Sequence, residues 1–314
     1  MKKFKKISLR GLTRIVVGLF FVVSGIAKLY PVESLEVLLV KSNISTWLIS
    51  PLFARLLIAF EIVLGALIIF KLCIKNALYA SFSTLVIFTI YLVYFIVLFG
   101  TGEDCECMGS LLEMKPQYSI IKNLVLLALI YYLLKKQTRI VWLSKKWRTK
   151  ISVLVILIGI SLPFILNPIE ISDGESNYVI TEGEKINADL AEVNFSEENV
   201  NLLEGRKLVC FFSMTCSACK LAAKKITVIQ EKRDNELPIY IIFLENKNQE
   251  VALPKFLNET GVDNITYIVF NRKRFFATSD GILPFILQLD NGEIKKMSNY
   301  TDLYPEEIDY FLMK

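Results

Sequence analysis

Apolar and polar positions divide this chain into two parts with different rhythms. Up to about residue 167, apolar residues run on for most of twenty positions at a time, near residues 12–30, 51–72, 76–99, 118–134 and 151–167. Runs of that length approach or reach the roughly 20 residues a helix needs to cross a bilayer, so five membrane spans are expected. Residues 32–40 form a short amphipathic stretch, expected to lie at the outer interface. Beyond residue 170 the apolar runs shorten and alternate with charged stretches, as in a water-exposed α/β domain. Residues 208–212, 238–244 and 265–270 read as strands, and residues 253–260 as a helix. Residues 281–295 read as strand, Asp-Asn-Gly turn and strand. Residues 305–313 close the chain as a helix, with proline at a tolerated first-turn position.

Composition sharpens the division. Hydrophobic residues make up 54% of the 314, too many for an ordinary soluble chain. The first run lacks a small-residue cleavage site and further runs follow it, so it is expected to remain as a span. The formal charge of +5 is a topology signal and gives no reason to infer nucleic-acid binding. Basic residues crowd the N-terminus (Lys2, Lys3, Lys5, Lys6, Arg10, Arg14), the second-to-third connection (Lys71, Lys75) and the fourth-to-fifth connection (residues 135–150). The loop after the third run instead holds Glu103, Asp104, Glu106 and Glu113 against Lys115. Positive loops stay inside, so the N-terminus is expected in the cytoplasm of a bacterial inner membrane. The acidic loop and the C-terminal domain then lie on the extracytoplasmic, periplasmic side.

Two polar features interrupt the apolar runs. Glu61 sits inside the second run, where an ionisable group is costly and usually faces the bundle interior. Lys28 or Arg55 could pair with it; alternatively both snorkel to the surface and Glu61 alone is buried. Cys73, at the cytoplasmic end, is expected to be an inert thiol.

The chemistry concentrates in residues 207–224, K-L-V-C-F-F-S-M-T-C-S-A-C-K-L-A-A-K. A buried strand breaks into Cys216 and Cys219, two residues apart, and a helical pattern follows. Strand, C-x-x-C, helix is the order that dithiol redox chemistry needs. It puts Cys216 at a helix N-terminus, where free N–H groups stabilise the thiolate, and Cys219 one turn on as the resolving thiol. A structural disulfide or half of a zinc site would use the same spacing. With no histidine in the chain, a zinc site would need four sulfurs from distant segments. The second feature is T-G-E-D-C-E-C-M-G-S, residues 101–110, in which Cys105 and Cys107 stand two apart. A bond within C-x-C closes a small, strained and easily reduced ring, suited to electron exchange rather than stapling.

Residues 168–314 resemble thioredoxin-fold domains of the TlpA-like, membrane-tethered thiol-disulfide oxidoreductases. That resemblance implies that Pro284 is the cis-proline facing the C-x-x-C. It also shows two departures: Thr215 where relatives often carry Trp, and Cys210 where thioredoxins place a buried acid. Cys210 is expected to be an inert core residue. The segments G-L-F-F-V-V-S-G-I-A-K-L, F-E-I-V-L-G, D-C-E-C-M-G and P-Q-Y-S-I-I-K-N-L-V-L resemble the MauE/DoxX-type membrane family. Its D-C-x-C-x-G motif falls on Asp104, Cys105, Cys107 and Gly109, and it implies a helical bundle associated with redox or disulfide maturation.

The expected fold is therefore a helical membrane bundle of about five transmembrane helices followed by an α/β thioredoxin-like domain. Residues 1–134 form the four-helix MauE/DoxX-like domain with its C-x-C loop. Residues 135–169 supply a basic cytoplasmic loop and a fifth helix acting as an anchor. Residues 170–314 form the thioredoxin-like domain, with 168–184 as a polar connector and 186–206 as an extension into the active-site strand. The expected function is thiol-disulfide exchange between Cys216/Cys219 and extracytoplasmic client proteins with cysteines, relayed through Cys105/Cys107. No resident cofactor or metal is required; a quinone, as in the functionally similar DsbB and vitamin K epoxide reductase bundles, is a candidate acceptor. The alternatives are a non-enzymatic maturation or assembly factor of the methylamine-dehydrogenase type, and delivery of a soft metal such as copper(I) by the four cysteines.

Overall fold

The computed structural model describes residues 9–102, 105, 109, 114–135, 144–169, 183–186, 192–195, 198–233, 237–279, 281–300 and 303–313. The chain forms two compact units, Met1–Ile169 and Glu170–Lys314.

The first unit contains helices α1 (Leu9–Ala27), α2 (Val32–Lys41), α3 (Ser50–Ile69), α4 (Ile74–Phe99), α5 (Pro116–Lys135) and α6 (Lys145–Leu166). All but α2 are long and apolar enough to cross a membrane, and they coincide with the five apolar runs to within a few residues. α3 is the centre: 61% of its most apolar stretch is buried, against 17–28% in the other four. It packs against α1, α2, α4 and α6. Small residues let it do so, as is usual where no hydrophobic effect drives membrane helices together. A Cβ on Gly18 of α1 would lie 2.6 Å from the Ile69 side chain and 2.9 Å from the Gly65 carbonyl oxygen. A Cβ on Gly65 would in turn lie 2.6 Å from the Gly18 carbonyl oxygen. The guanidinium of Arg14 donates to the carbonyls of Ile68 (2.7 Å) and Ile69, satisfying acceptors that the end of α3 leaves without helical partners.

Two expectations are revised here. α2 is buried at every position except Glu33 and Lys41, so it is a packed element of the bundle and does not present one apolar face in the manner of an interfacial helix. α6 is more than an anchor: it lies along α3, with Gly159 set directly against Val63. Its C-terminal end is tied down by Arg55 of α3, which donates to the carbonyls of Asn167 (2.7 Å) and Pro168 (3.2 Å).

The second unit begins with an antiparallel hairpin, β1 (Glu192–Phe195) and β2 (Glu198–Asn201). Then follow β3 (Arg206–Ser213), α7 (Ser217–Glu231), β4 (Ile239–Leu244), α8 (Gln249–Thr260), β5 (Tyr267–Phe270), α9 (Arg272–Ser279), β6 (Phe285–Asp290), β7 (Glu293–Ser298) and α10 (Pro305–Met313). The sheet order is β5-β4-β3-β6-β7. β3, β4 and β5 run parallel, and β6 and β7 are antiparallel to their neighbours. This is a thioredoxin-like fold. β3 is central and covered on both faces, which is why it reads as an unbroken apolar run. Val209 and Phe211 join one core with Phe270, Phe275 and Phe285. Phe212, on the opposite face, packs against Phe256 of α8, and alternation puts Cys210 on that same face.

The hairpin β1–β2 and helix α9 have no counterpart in the sequence reading. R-K-R-F-F-A-T-S lacks an apolar period. α9 is held instead by Phe275, fully buried, by the Asn271 carboxamide accepting the Arg274 N–H at 2.9 Å, and by the Arg274 guanidinium 4.0 Å over the Phe270 ring. The polar connector expected over 168–184 falls largely outside the described residues.

Overpacking at the α1–α3 contact should cost about 1–3 kcal/mol or more. Gly18→Leu in the detergent-solubilised full chain is expected to lower the melting temperature by several degrees. Gly102→Ala, whose added Cβ meets nothing within 4 Å, should leave it unchanged. Equal melting temperatures for the two variants would rule out the close helix contact.

Candidate functional site

The carboxyl end of β3 builds the dithiol. The strand stops at Ser213, whose carbonyl accepts the Cys216 N–H at 3.1 Å, a tight turn that presents Cys216 as the N-cap of α7. In this role the Cys216 sulfur accepts the backbone N–H of Cys219 at 3.3 Å, as an N-cap oxygen would. Cys216 is half-buried and Cys219 fully buried. The Cys219 sulfur accepts the Ser213 N–H at 3.4 Å.

These positions divide the work between the two thiols. The hydrogen bond from the Cys219 thiol lowers the Cys216 pKa most, burial opposes it, and the N–H groups of Cys219 and Ala218 lower it further, to about 6. Cys216 is therefore largely thiolate near neutral pH. Burial pushes the Cys219 thiol far up, and its bond to Cys216 adds to that. One cysteine is thus nucleophilic and reachable; the other is protonated and sheltered. No histidine is needed to produce the difference, because the helix start and the neighbouring thiol supply the stabilisation.

The Leu283–Pro284 peptide is cis, and Pro284 is buried. Phe285 pairs with Phe211, so the antiparallel register brings Pro284 to the same end of β3 as the C-x-x-C. Thr215 is exposed, with its hydroxyl 3.3 Å from that of Ser213. Cys210 is wholly buried and its thiol pKa is pushed far up by that burial, so it is poorly suited to the proton-acceptor role of an acid at this place.

In the membrane unit, Cys105 is 1% exposed and packs with Leu29, Val32, Leu35, Leu92 and Phe95. Its sulfur lies 3.4 Å from both the Met114 carbonyl and the Ser119 hydroxyl. The expectation of a loop cysteine outside the membrane bundle is corrected for Cys105, which is buried among bundle side chains. The φ of Gly109 is +68°, and a Cβ there would collide with the Ala27 carbonyl at the end of α1, so this motif position requires glycine. Asp104 and Cys107 lie outside the described residues.

The intramembrane charges pair two by two. Lys28 donates to both Glu61 oxygens at 2.7 Å and to the Ser24 hydroxyl at 2.9 Å. Arg55 takes Glu36 at 2.6 Å. The alternative in which Lys28 and Arg55 snorkel is excluded, since both are buried. Sequence reasoning missed Glu36. The signal for it was an acid on a helix whose other face was already apolar, too weak to separate from an exposed polar position. Cys73 opens α4 and is exposed, 3.7 Å from the Ser152 hydroxyl. Among the described residues, no group of three or more Cys, Asp or Glu side chains is placed to hold a metal ion.

The family described as "Methylamine utilisation protein MauE" matches residues 6–136. "Protein TlpB" of Flavobacterium psychrophilum is 30% identical over 366 aligned positions, covering 99% of this chain and 96% of that protein. Among solved structures, the thioredoxin domain of a thiol-disulfide oxidoreductase from Bacteroides vulgatus is 17% identical. It aligns with 42% of this chain and 99% of its own, with a TM-score of 0.35. A secreted Mycobacterium tuberculosis disulfide oxidoreductase is 11% identical, aligning with 35% of this chain and 83% of its own, with a TM-score of 0.30.

The lowered Cys216 pKa has a measurable sign. In the reduced full chain, alkylation of Cys216 by iodoacetamide, read by mass spectrometry, should rise with a midpoint near pH 6. Cys219→Ala removes the first of the lowering causes and should move that midpoint up toward 9, the ordinary thiol value. Because the folded pKa lies below the unfolded one, ionisation of Cys216 stabilises the reduced fold. That contribution is complete above about pH 9 and disappears as pH falls through about 6. An unmoved midpoint in Cys219→Ala would refute the thiol–thiolate contact.

Proposed function

The chain belongs to the family of Protein TlpB, and from that membership we propose that it is a membrane thiol-disulfide oxidoreductase relaying electrons between client proteins and its own bundle. The observation that carries this reading is the half-buried Cys216 at the start of α7, its sulfur accepting the N–H of the fully buried Cys219 at 3.3 Å. The Cys216 thiolate attacks a client disulfide. A Cys216–client S–S bond forms, and the second client sulfur leaves as thiolate and takes a proton from water. Cys219 then loses its proton and attacks the Cys216 sulfur. The products are the Cys216–Cys219 disulfide and a reduced client. The steps run in reverse when the client arrives as a dithiol, with the same atoms in the same roles. Pro284 is assigned to hold the incoming client strand beside Cys216.

The second station is Cys105/Cys107. With Cys105 buried, Cys107 is assigned the exchange with Cys216, and Cys105 the inner, resolving position. The two pairs meet on one side of the membrane if the basic loops are cytoplasmic, so we place the C-x-C loop and the thioredoxin-like unit outside a bacterial inner membrane. Thiol exchange itself requires no resident cofactor or metal. Clients are extracytoplasmic proteins with cysteines.

Trapping tests the reading. In native membranes, Cys219→Ala followed by acid quench and alkylation should leave Cys216 in mixed disulfides with clients and with Cys107. In otherwise unsubstituted protein, Cys105→Ser/Cys107→Ser should shift the steady-state redox state of Cys216/Cys219. No adduct of any kind would overturn the oxidoreductase. Client adducts with an unshifted redox state would overturn the relay and leave the bundle as a docking or assembly module.

A further inference from the structure

Four strands of the sheet end level beside the dithiol. Ser213 of β3 pairs with Leu244 of β4, and Leu244 pairs with Phe270 of β5. Continuing the antiparallel pairing of Phe211 with Phe285 sets Leu283 opposite Ser213. The strands therefore deliver to one rim Ile282 and Leu283, then Cys216, then Lys247, then Arg272 and Lys273. The two sides of Cys216 differ. Toward β6 the rim is apolar, with Ile282 and Leu283 packed on the core and part of their surface open. Toward β4 and β5 it is cationic. Lys247, Arg272 and Lys273 are exposed, and among the described residues their side chains enter no hydrogen bond or ion pair. The fold does not account for these charges. Arg272, Lys273 and Arg274 fill the first turn of α9 with no acid among them, where the helix dipole disfavours cations. Arg274 is compensated by lying over the Phe270 ring; nothing comparable among the described residues compensates Arg272 or Lys273. The N–H of Arg272 is taken by the Glu245 carboxylate and that of Arg274 by Asn271, both at 2.9 Å. An anion arriving here would meet side chains rather than free backbone groups.

The geometry points to this rim as the client-docking surface, selecting polypeptides that carry acidic residues to one side of the reactive cysteine. This inference rests on the thiol-disulfide exchange proposed above and names the class of client which that exchange serves. Neighbouring strands lie about 4.8 Å apart, so β5 is about 10 Å from β3. An extended client covers that distance in about three residues of roughly 3.3 Å each. With the client sulfur at Cys216, residues about two to four positions away reach Lys247, Arg272 and Lys273. The opposite flank runs over Ile282 and Leu283, which accept an apolar side chain. Glu245 and Glu250 are exposed acids on the cationic side, and the carboxylate of Glu245 is already engaged by the Arg272 N–H. Cations on exposed stems act mainly at long range, raising the rate of encounter more than the lifetime of the complex. A client with basic flanks is repelled from the same approach. The rim thus sorts clients without touching the bond-making atoms, and the exchange steps stay as given above.

The test uses the reduced full chain in detergent and short peptides whose single cysteine carries a 2-thiopyridyl disulfide. Three Glu, three Gln or three Lys stand either before or after that cysteine, with Ala on the other flank. The Cys216 thiolate attacks the peptide sulfur, and thiopyridine leaves and takes a proton from water. Cys219 then displaces the peptide thiol, so the Cys216–Cys219 disulfide reports turnover, read by acid quench, alkylation and mass spectrometry. Each rate is divided by that of the same peptide with dithiothreitol, which removes the peptide's own reactivity. At about 0.01 M salt, where charges act over about 30 Å, the order Glu, Gln, Lys is expected in at least one placement. Glu should be about tenfold faster than Lys. At about 1 M salt, where that reach falls to about 3 Å, the rates should converge. Lys247→Glu/Arg272→Glu/Lys273→Glu should put Lys first. It should not lower the melting temperature, because acids suit the first turn of α9. Equal, salt-independent rates for Glu and Lys peptides in the unsubstituted protein would overturn the rim as a selector, with no variant needed. A Glu preference that survives the charge reversal would overturn it too. If no peptide yields the Cys216–Cys219 disulfide, the oxidoreductase reading falls and this inference with it.

Discussion

Lys28 and Glu61 are joined at 2.7 Å with 7% and 5% of their side chains exposed, and the arrangement of the bundle follows from keeping them together. Neither could stay charged alone in an apolar interior, and removing one partner of such a pair costs about 3–5 kcal/mol. The pair fixes the register of α1 against α3, because only one rotation of each helix aims both groups inward. The Gly18–Gly65 contact permits the close approach that this register needs. The end of α1, set in this way, is the surface on which Gly109 rests. Gly109 is therefore seated by the same constraint.

The thioredoxin-like unit answers a related demand at the dithiol. Two chemically identical thiols become different acids because one sits at the start of a helix and the other inside it. The strand–helix junction provides N–H groups that point at Cys216, while Cys219 is buried with its sulfur accepting the Ser213 N–H at the end of β3. Cys105 in the bundle and Cys219 in the sheet unit are both buried, which keeps these two sulfurs out of reach of chance oxidants. Ion pairing decides the architecture of the membrane unit, whereas hydrogen bonding at Cys216 and burial at Cys219 decide the chemistry of the other.

Much of this was legible in the sequence, for physical reasons that particular residues illustrate. The five helices follow from run length alone. β3 followed from an unbroken apolar run ending in C-x-x-C, and the β6–β7 turn from Asp290, Asn291 and Gly292, the last two of which adopt positive φ. What escaped depends on contacts between distant segments. Nothing local says that Glu36 will meet Arg55, or that an acidic, glycine-flanked loop will bury Cys105. α9 is stabilised by an aromatic core and a cation over a ring rather than by its own period. The burial of α2 was masked because Glu33, Glu36 and Lys41 look alike in sequence, although Glu36 is neutralised by a partner nineteen residues away.

The attachment of α6 has a consequence for how such a chain could be assembled from parts. The MauE match ends at residue 136, which suggests a natural seam before the fifth helix. Yet α6 fills the flank of α3 through Gly159 and Val63, and Arg55 spends two donors on the carbonyls of Asn167 and Pro168. A bundle parted at that seam would expose the flank of α3 and leave Arg55 without two of its acceptors. The fifth helix therefore belongs with the bundle rather than with the thioredoxin-like unit. A thioredoxin-like unit joined to another carrier would have to begin after the fifth helix for this flank of α3 to stay covered.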